Sequence, residues 1–343
     1  MDETNQTDYS GYIDSFNSDV VLSYPLRFWL LLLSDIPAVL MVLFVLHYLL
    51  NNSSQRKLLH NHTFILLLFL TMFTLLTDIP LYLNYLRIGS VWPASPATCY
   101  VWWMCNSTFA VTSYHLMSLA SIERHIIIFH SHWLATKYKR LFLHYLPHIV
   151  VLIYCFCFYF LAIFFPSCEN YFVYTTLYCA YPCYYFVLNF RNFWDVVFNG
   201  ITPPLIITVF NILLLARVIH QKHVRLHQPV VWRKHRRLTI QVVSVSLLYL
   251  SDIFPAMVIG LLKLCGYSTE IGDKILLYTN FFAYFTSILL PFVCLGSLPE
   301  LRLKLKQILQ YLWLCKNQTR VEPFRDPTFA TKGHPIVVKT SRF

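Results

Sequence analysis

Three acidic residues interrupt long apolar stretches of the chain, namely Asp35, Asp78 and Asp252. A charge inside a membrane costs roughly 2.5–3.5 kcal/mol on insertion scales, so such carboxylates face other protein groups rather than lipid. A further pair of charges, Glu123 and Arg124, stands at the end of another apolar stretch. Because a buried guanidinium needs a partner, the chemistry that these residues offer is the pairing of charges in an apolar interior.

The sequence offers no group of residues for catalysis. It contains no phosphate-binding loop, no zinc-helix motif, and no nucleophile with a base outside the apolar stretches. His220, His223 and His227 are spaced so that they could contact a metal, but no Cys or carboxylate joins them, which favours a solvated basic loop. We expect no enzyme, no metal site and no cofactor.

The composition indicates a protein whose solvent is lipid. Hydrophobic residues make up 57% of the chain and charged residues 13%, against about 45–50% and 25% in soluble domains. The apolar residues come in blocks of about 20, the length of a helix that crosses a hydrocarbon core roughly 30 Å thick. No block alternates polar with apolar residues as membrane strands do. The sequence therefore predicts an all-α membrane protein.

Seven blocks are long enough to span the bilayer, which predicts a seven-transmembrane-helix bundle within residues 25–298. The blocks are Phe28–Leu50, Phe64–Tyr85, Val101–Ile122, Leu146–Phe165, Val196–Ala216, Leu238–Leu262 and Ile275–Leu298. The third, fourth, fifth and seventh contain no Asp, Glu, Lys or Arg. Each of the others contains a single acid, which we expect to face the interior of the bundle.

Basic residues are distributed unequally between the two sides of the predicted bundle. One side has five of the 27 and also the acidic N-terminal segment, whereas 22 lie on or next to the other side. Lys and Arg accumulate in cytoplasmic loops, which predicts a multi-pass plasma-membrane protein with an extracellular N-terminus and a cytoplasmic C-terminus. The net charge of +11 then indicates orientation and contact with anionic membrane lipids, not nucleic-acid binding.

The segments that flank the bundle have different characters. Residues 1–24 form the extracellular N-terminal segment, where Asn5 begins a glycosylation signal. Residues 299–315 have leucine and isoleucine at helical spacing between cations, which predicts a short amphipathic helix on the inner membrane surface, with Cys315 as a palmitoylation site. Residues 316–343 are polar and without periodicity, as in a disordered cytoplasmic tail.

Several spacings resemble those of the rhodopsin-like family of G-protein-coupled receptors, over nearly the whole chain from about residue 25 to 314. Cys99 opens the third block, and Glu123-Arg124-His125 closes it, like the family's cysteine and its Asp/Glu-Arg-Tyr motif. The other matches are a loop tryptophan, an inner residue of the second span and four helix-kinking prolines: Trp92, Asn61, Pro80, Pro203, Pro255 and Pro291.

The chain also departs from the family pattern. Thr71 stands where the family has an acid in the middle of the second span, and Leu290 replaces the Asn of the Asn-Pro-x-x-Tyr motif, of which only Pro291 remains. Ile253 stands where the sixth span of the family has a tryptophan. The resemblance is therefore to a divergent member.

The resemblance implies how the chain would signal. In the family, the arginine pairs with its neighbouring acid at rest and engages a heterotrimeric G protein on activation. This assigns Glu123, Arg124 and His125 as the coupling switch. The family's second partner, an acid at the foot of the sixth span, is absent, and His235 stands near that position, so a full ionic lock is not expected.

The resemblance also implies a disulfide between the third span and the second outer loop. Cys99 is the residue on the span, and the loop offers Cys168, Cys179 and Cys183. We prefer Cys179, and Cys183 remains the alternative partner. A second bridge from Cys168 to the remaining cysteine would use all four.

Ligands of the family bind in the outer half of the bundle. The pocket candidates there are Trp102, Trp103, Asn106, Phe109, Asp195, Tyr278, Asn280, Phe281 and Tyr284. Asn106 stands where amine receptors have an aspartate, so a protonated amine lacks its usual counter-ion. The seventh span has no lysine, which removes a retinal Schiff base. The aromatic loop 171–193 favours an extracellular peptide, such as a neuropeptide, over a small molecule.

Two functions remain open. The favoured one is a receptor that transduces an extracellular ligand into activation of a heterotrimeric G protein. The alternative is a seven-helix transporter or channel without G-protein coupling. Transporters tend to have internal repeats and discontinuous helices with paired charges in the membrane, and neither is visible in this sequence.

Overall fold

The computed structural model describes residues 23–318 except 186, 188–189, 225–228, 265–269 and 298. In this part the chain is helical, and seven long helices form a bundle. We call the end that contains the disulfides the outer end and the opposite end the inner end. Asn5 and the predicted tail beyond residue 318 lie outside the described residues.

Each long helix coincides with one predicted span, and some contain segments of wider π-helical turns. Helix α1 is Tyr24–Asn51, and α2 joins Leu59–Phe73, Thr74–Asp78 and Ile79–Ile88. Helix α3 is Pro96–Phe129, and α4 joins Lys137–Arg140, Leu141–Tyr145 and Leu146–Phe164. Helix α5 joins Phe190–Trp194, Asp195–Ile201 and Thr202–Val224. Helices α6, α7 and α8 are Pro229–Leu264, Glu270–Ser297 and Pro299–Gln318.

The predicted fold class, an all-α membrane protein with a seven-helix bundle, is confirmed. By length and apolar composition, six of the described helices could cross a membrane, and α3 is not among them. Helix α3 instead contacts α2, α4, α5 and α6 and buries polar residues such as Thr112, Ser118 and Ser121 against them. A helix enclosed by others needs no apolar surface toward lipid.

The sides of the bundle that face away from its core are apolar. Large side chains that point away from the core include Leu33, Leu40, Ile153, Ile212 and Leu247. An exposed apolar surface spread over several helices is expected of a protein surrounded by lipid. Together with the six apolar helices, it defines a multi-pass membrane protein.

Each π-helical turn ends two residues before a proline. The turn Thr74–Asp78 precedes Pro80, Leu141–Tyr145 precedes Pro147, and Asp195–Ile201 precedes Pro203. Proline lacks an N–H, and its ring clashes with the carbonyl four residues earlier, so a wider turn at that carbonyl accommodates it.

The other two prolines predicted to kink helices behave differently. Helices α6 and α7 continue through Pro255 and Pro291 as ordinary α-helix. Of the four prolines predicted to kink helices, Pro80 and Pro203 follow a π-helical turn, and a kink at any of the four stays a prediction.

Local sequence explains the sharp connection between α2 and α3. Gly89 ends α2 with a φ of 78°, a left-handed conformation that glycine adopts without steric cost. Ser95 begins α3, because its side-chain oxygen accepts a hydrogen bond from the N–H of Thr98 and Pro96 follows at the first helical position.

Two disulfides hold the loop between α4 and α5 at the outer end. One joins Cys99 to Cys179, the preferred pair, and the other joins Cys168 to Cys183. The indole N–H of Trp103 donates to the carbonyl oxygens of Tyr178 and Ala180 on either side of Cys179. Positive φ angles of 53–65° at Tyr178, Cys179 and Ala180 form a tight bend, a costly conformation that these bonds hold in place.

Helix α8 begins directly after the bundle. The carboxylate of Glu300 accepts hydrogen bonds from Tyr48, at 2.9 Å, and from Gln55, at 3.2 Å. The bundle unit ends at Leu301, and a second unit begins at Arg302, three residues after the predicted boundary. The helix continues to Gln318 instead of ending at the predicted Cys315.

We expect the loss of the Cys99–Cys179 disulfide to be more damaging than the loss of Cys168–Cys183. The first closes a loop of 80 residues and the second a loop of 15, so loop-closure entropy stabilises the fold by about 4.5 and about 3 kcal/mol. Thermal unfolding of the two double Cys→Ser variants in detergent measures the difference. Cys157→Ser, at an exposed free cysteine, is the control. An equal or larger loss from the 15-residue loop would contradict the prediction.

Candidate functional site

The outer half of the bundle contains a cavity of about 600 Å³. Its walls come from α2 to α7, and Tyr178, Tyr181 and Tyr185 of the disulfide-bonded loop also line it. This volume lies within the range of roughly 300–1,000 Å³ that is usual for ligand pockets.

Asp78 of α2 is buried at one side of the cavity. Its Oδ1 atom accepts hydrogen bonds from the indole N–H of Trp102, at 2.7 Å, and from the hydroxyl of Tyr284, at 3.1 Å. Its Oδ2 atom accepts one from the amide of Asn106, at 2.8 Å. All three donors are neutral, and they connect α2 to α3 and α7.

Asp195 of α5 is the second buried acid of the cavity. Its Oδ1 atom accepts hydrogen bonds from the hydroxyl of Tyr159 and the amide of Asn199, both at 2.7 Å. Its Oδ2 atom accepts one from the hydroxyl of Tyr184, at 3.2 Å. These donors are again neutral.

Asp252 of α6 is the third buried acid of the cavity, and it accepts the fewest hydrogen bonds. Its Oδ2 atom accepts a hydrogen bond from the hydroxyl of Tyr114, at 2.7 Å, which links α6 to α3 through the cavity wall. The ring of Tyr114 also meets that of Tyr249 edge to face, with centroids 5.9 Å apart.

No Lys, Arg or His is among the side chains that line the cavity in the part of the chain that the structure describes. The remaining polar groups are amides and hydroxyls, such as Asn280, whose amide donates to the hydroxyl of Tyr181 at 3.0 Å. Burial raises the pKa of Tyr181 above its ordinary value, so this loop hydroxyl stays neutral. The wall is therefore aromatic and acidic.

Five of the nine predicted pocket residues line this cavity: Asn106, Phe109, Asp195, Asn280 and Tyr284. Trp102, Trp103, Tyr278 and Phe281 do not line it, and a role in ligand binding stays a prediction for all nine. Trp102 and Trp103 are buried, and their indole N–H groups bond to Asp78 and to the outer loop. Phe281 is buried in the core among other aromatic rings.

Sequence reasoning did not assign Asp78 and Asp252 to the pocket, although it expected both to face the interior. It also missed Tyr114, Asn199 and Tyr249, which line the cavity. A signal was present for Asn199, because it lies four residues after Asp195 and thus on the same face of α5.

At the inner end, the carboxylate of Glu123 faces α4. Its Oε1 atom lies 2.7 Å from Nδ1 of His144 and 3.6 Å from Nδ1 of His148. The hydroxyl of Thr63, on α2, lies 3.4 Å from Oε2. All four side chains are buried. Among the described residues, the ion pairs of Glu123 are with the two histidines and not with Arg124, the partner that the resemblance implied.

A chain of hydrogen bonds determines the charge of this cluster. His144 bonds to Glu123 through Nδ1 and, through Nε2, to Nδ1 of His62 at 2.9 Å, while Nε2 of His62 lies 2.8 Å from the carbonyl oxygen of Arg56. Three bonds require three protons, whereas two neutral imidazoles supply two. The cluster therefore contains one proton more than an ionised Glu123 with two neutral imidazoles, and this proton offsets the charge of the carboxylate.

Glu123, His144 and His148 are also the group best suited to a metal among the described residues, with ligand atoms within 4.8 Å of one another. Two ligands of a tetrahedral zinc ion lie about 3.3 Å apart. The 2.7 Å between Glu123 and His144 is shorter and is that of a hydrogen bond. The absence of a metal site stays a prediction.

Arg124 and His125 lie inside α3, which continues to Phe129 instead of ending at the motif. Arg124 is 2% exposed, and its guanidinium carbon lies 5.5 Å from the centre of the Phe64 ring of α2. The ring of His125 contacts Phe129 and, edge to face, Phe210 of α5. The three motif residues thus contact three different neighbouring helices.

The histidines of α4 were missed by sequence reasoning. His144 and His148 are four residues apart near the start of an apolar helix, so they share one face. Two titratable side chains on one face of an apolar span are expected to point inward, toward a partner. The four-residue spacing therefore indicates that both histidines point inward, but it does not show that Glu123 is their partner.

No protein-family model matches the chain, and no curated protein matches its sequence. Among solved structures, the crystal structure of squid rhodopsin is similar, with a TM-score of 0.65 and 16% sequence identity. The match covers 88% of this chain and 90% of that chain. At this identity the similarity shows the fold alone. The protein is a multi-pass membrane protein with the rhodopsin fold.

We expect His144→Leu to lower the free energy of unfolding by about 3–5 kcal/mol, because the buried carboxylate of Glu123 loses its nearest hydrogen-bond partner. Adding Glu123→Gln should recover part of the loss, since it removes the uncompensated charge. Thermal unfolding of the wild type, both single variants and the double variant measures the coupling.

His115→Leu is the matched control. The ring of His115 bonds to Asn199, at 3.2 Å, and belongs to the cavity end of α3. Glu123→Gln should not rescue this variant. If the losses of stability in Glu123→Gln and His144→Leu simply add in the double variant, the pairing of these two residues does not stabilise the fold.

Proposed function

We propose that the protein is a G-protein-coupled receptor of the plasma membrane, with its N-terminus outside the cell. It binds a ligand and transmits a signal, and it is not an enzyme. The observation that supports this most is the arrangement along α3. Cys99 and Asn106 belong to its outer, cavity-forming part, and Arg124 lies buried about 38 Å from Cys99, at 1.5 Å per residue.

The contact between α3 and α6 supports a route for the signal. The hydroxyl of Tyr114 donates to Asp252 in the cavity wall, so a ligand that binds Asp252 changes the bond between the two helices. A ligand shifts a two-state bundle by its difference in affinity for the two states. We expect the inner ends of α5 and α6 to separate in the active state, as helix movements do in such switches.

The environment of Arg124 supports its role as the residue that engages the G protein. A guanidinium enclosed against Phe64 is hidden in this state and needs a rearrangement to reach a partner protein. Because Glu123 is bonded to His144 and His148, that movement does not require Arg124 to leave its neighbour.

The ligand is an extracellular peptide in this proposal. Tyr178, Tyr181 and Tyr185 of the outer loop contribute to a cavity that holds one end of a peptide, while the rest remains outside. Tyrosine provides large contact area with little loss of side-chain entropy, as in other surfaces that recognise peptides. Asn5 as a glycosylation site, and Cys315 with residues 299–315 as a membrane-surface anchor, complete the proposal.

Arg124→Ala is expected to lower guanine-nucleotide exchange on a purified G protein by about tenfold or more, because it removes a charged group from the coupling interface. Thermal unfolding and surface expression show whether the variant is folded. Arg56→Ala is the matched control, since Arg56 is an exposed arginine of the first inner loop and bonds to the carbonyl of Leu50. Full exchange activity in Arg124→Ala would overturn the assigned role.

A liposome assay separates the receptor from the transporter or channel. The purified chain is reconstituted without a G protein, and ion and substrate flux is followed with fluorescent reporters. We expect no flux above that of empty liposomes. Flux that persists in Arg124→Ala, with no nucleotide exchange by the wild type, would favour the transporter or channel.

A further inference from the structure

The cavity holds three carboxylates from three helices. Asp78, Asp195 and Asp252 are 2%, 6% and 8% exposed, so each is largely removed from solvent. Their hydrogen-bond donors among the described residues are hydroxyl, amide and indole groups, all of which are neutral. The described residues of the cavity wall supply no cation to balance them.

Buried carboxylates without a counter-ion are costly for the fold. Desolvation of an ion costs several kcal/mol, and neutral hydrogen-bond donors offset only part of it. Ionisable residues inside a membrane bundle are rare, and those that occur usually lie on the path of a ligand or in its binding site. A ligand with positive charge in the cavity offsets this cost.

The three acids differ in their capacity to bind such a ligand. A carboxylate has about four acceptor positions. Asp78 and Asp195 each use three for protein donors, whereas Asp252 uses one, for Tyr114. Asp252 therefore has the largest free acceptor capacity of the three, and Asp195, on the neighbouring helix α5, has at most one acceptor position for a second group.

We propose that the ligand of this cavity is an organic dication, with one ammonium or guanidinium group on Asp252 and a second on Asp195. This rests on the proposed function, since it names the ligand class of the same cavity. A peptide that carries two Lys or Arg side chains has this chemistry. The tyrosine rings of the wall bind the methylene stems of such side chains and attract their charged groups.

The proposal revises the expectation for Asn106. The third helix lacks the aspartate that amine receptors have, which argued against a positively charged ligand. In the folded chain, the amide of Asn106 bonds to Asp78, and further carboxylates reach the cavity from α5 and α6. The negative charge is therefore supplied by other helices.

Three capped tripeptides with the same backbone test the charge requirement. They are the dication acetyl-Lys-Tyr-Lys-amide, its neutral norleucine counterpart and its dianionic glutamate counterpart. Each is added to the full chain in nanodiscs of zwitterionic phosphatidylcholine, which limits adsorption to lipid. Binding is measured as the shift in Tm, because a ligand that binds only the folded state stabilises it.

The dication is expected to raise Tm, and the neutral and dianionic peptides are not. In Asp252→Asn and Asp195→Asn the affinity for the dication should fall about tenfold or more, the usual effect of losing a hydrogen bond between charged groups. Asparagine keeps an oxygen that can accept the bond from Tyr114 and removes the uncompensated charge, so the Tm of Asp252→Asn without peptide should not fall.

Asp35→Asn is the matched control. Asp35 is a buried carboxylate of α1 that does not line the cavity, so its variant should bind the dication like the wild type. Equal shifts with the dicationic and neutral peptides, no shift with the dication, or unchanged affinity in both cavity variants would overturn the proposal.

The outcome is independent of the receptor assignment, because the Tm assay contains no G protein. Charge-selective binding without nucleotide exchange would leave the ligand class standing and refute the receptor function. Nucleotide exchange that depends on Arg124, without charge-selective binding, would support the receptor and refute the ligand class.

Discussion

The bundle depends on hydrogen bonds that satisfy its buried carboxylates, and those to Asp78 show this most clearly. The hydrocarbon core of a bilayer offers a carboxylate no water, so protein donors stabilise a buried acid there. Asp78 takes donors from Trp102 and Asn106 on α3 and from Tyr284 on α7, and it thereby joins three helices at one point. Trp102 begins the helical turn after Cys99, whose disulfide holds the outer loop over the same region.

The π-helical turns before two prolines affect the positions of two of the cavity acids. Asp78 is the last residue of one π-helical turn and Asp195 the first of another, and each turn precedes a proline by two residues. A π-helical turn inserts extra backbone, which changes the direction of the side chains before it relative to those after it. The turns that accommodate Pro80 and Pro203 therefore also set where these two carboxylates point.

The two ends of the bundle solve the same electrostatic problem in different ways. At the inner end, Glu123 shares a proton with the histidines of its hydrogen-bonded cluster, so the charge is compensated inside the chain. At the outer end, Asp195 and Asp252 receive only neutral donors from the described residues. A compensated pair suits a structural contact between α3 and α4. An uncompensated group suits a site that receives its counter-charge from a ligand.

The seven helices, the acids that face inward and the cysteines of the outer loop were predictable from the sequence, because hydrophobicity along about 20 residues is a local property. The partner of Glu123 was not, since spacing tells which residues share a helix face but not which helix packs against that face. For the same reason, the sequence does not show that Asp78, Asp195 and Asp252 line one cavity. Their meeting depends on helix rotation and π-helical turns, and only the tertiary structure decides these.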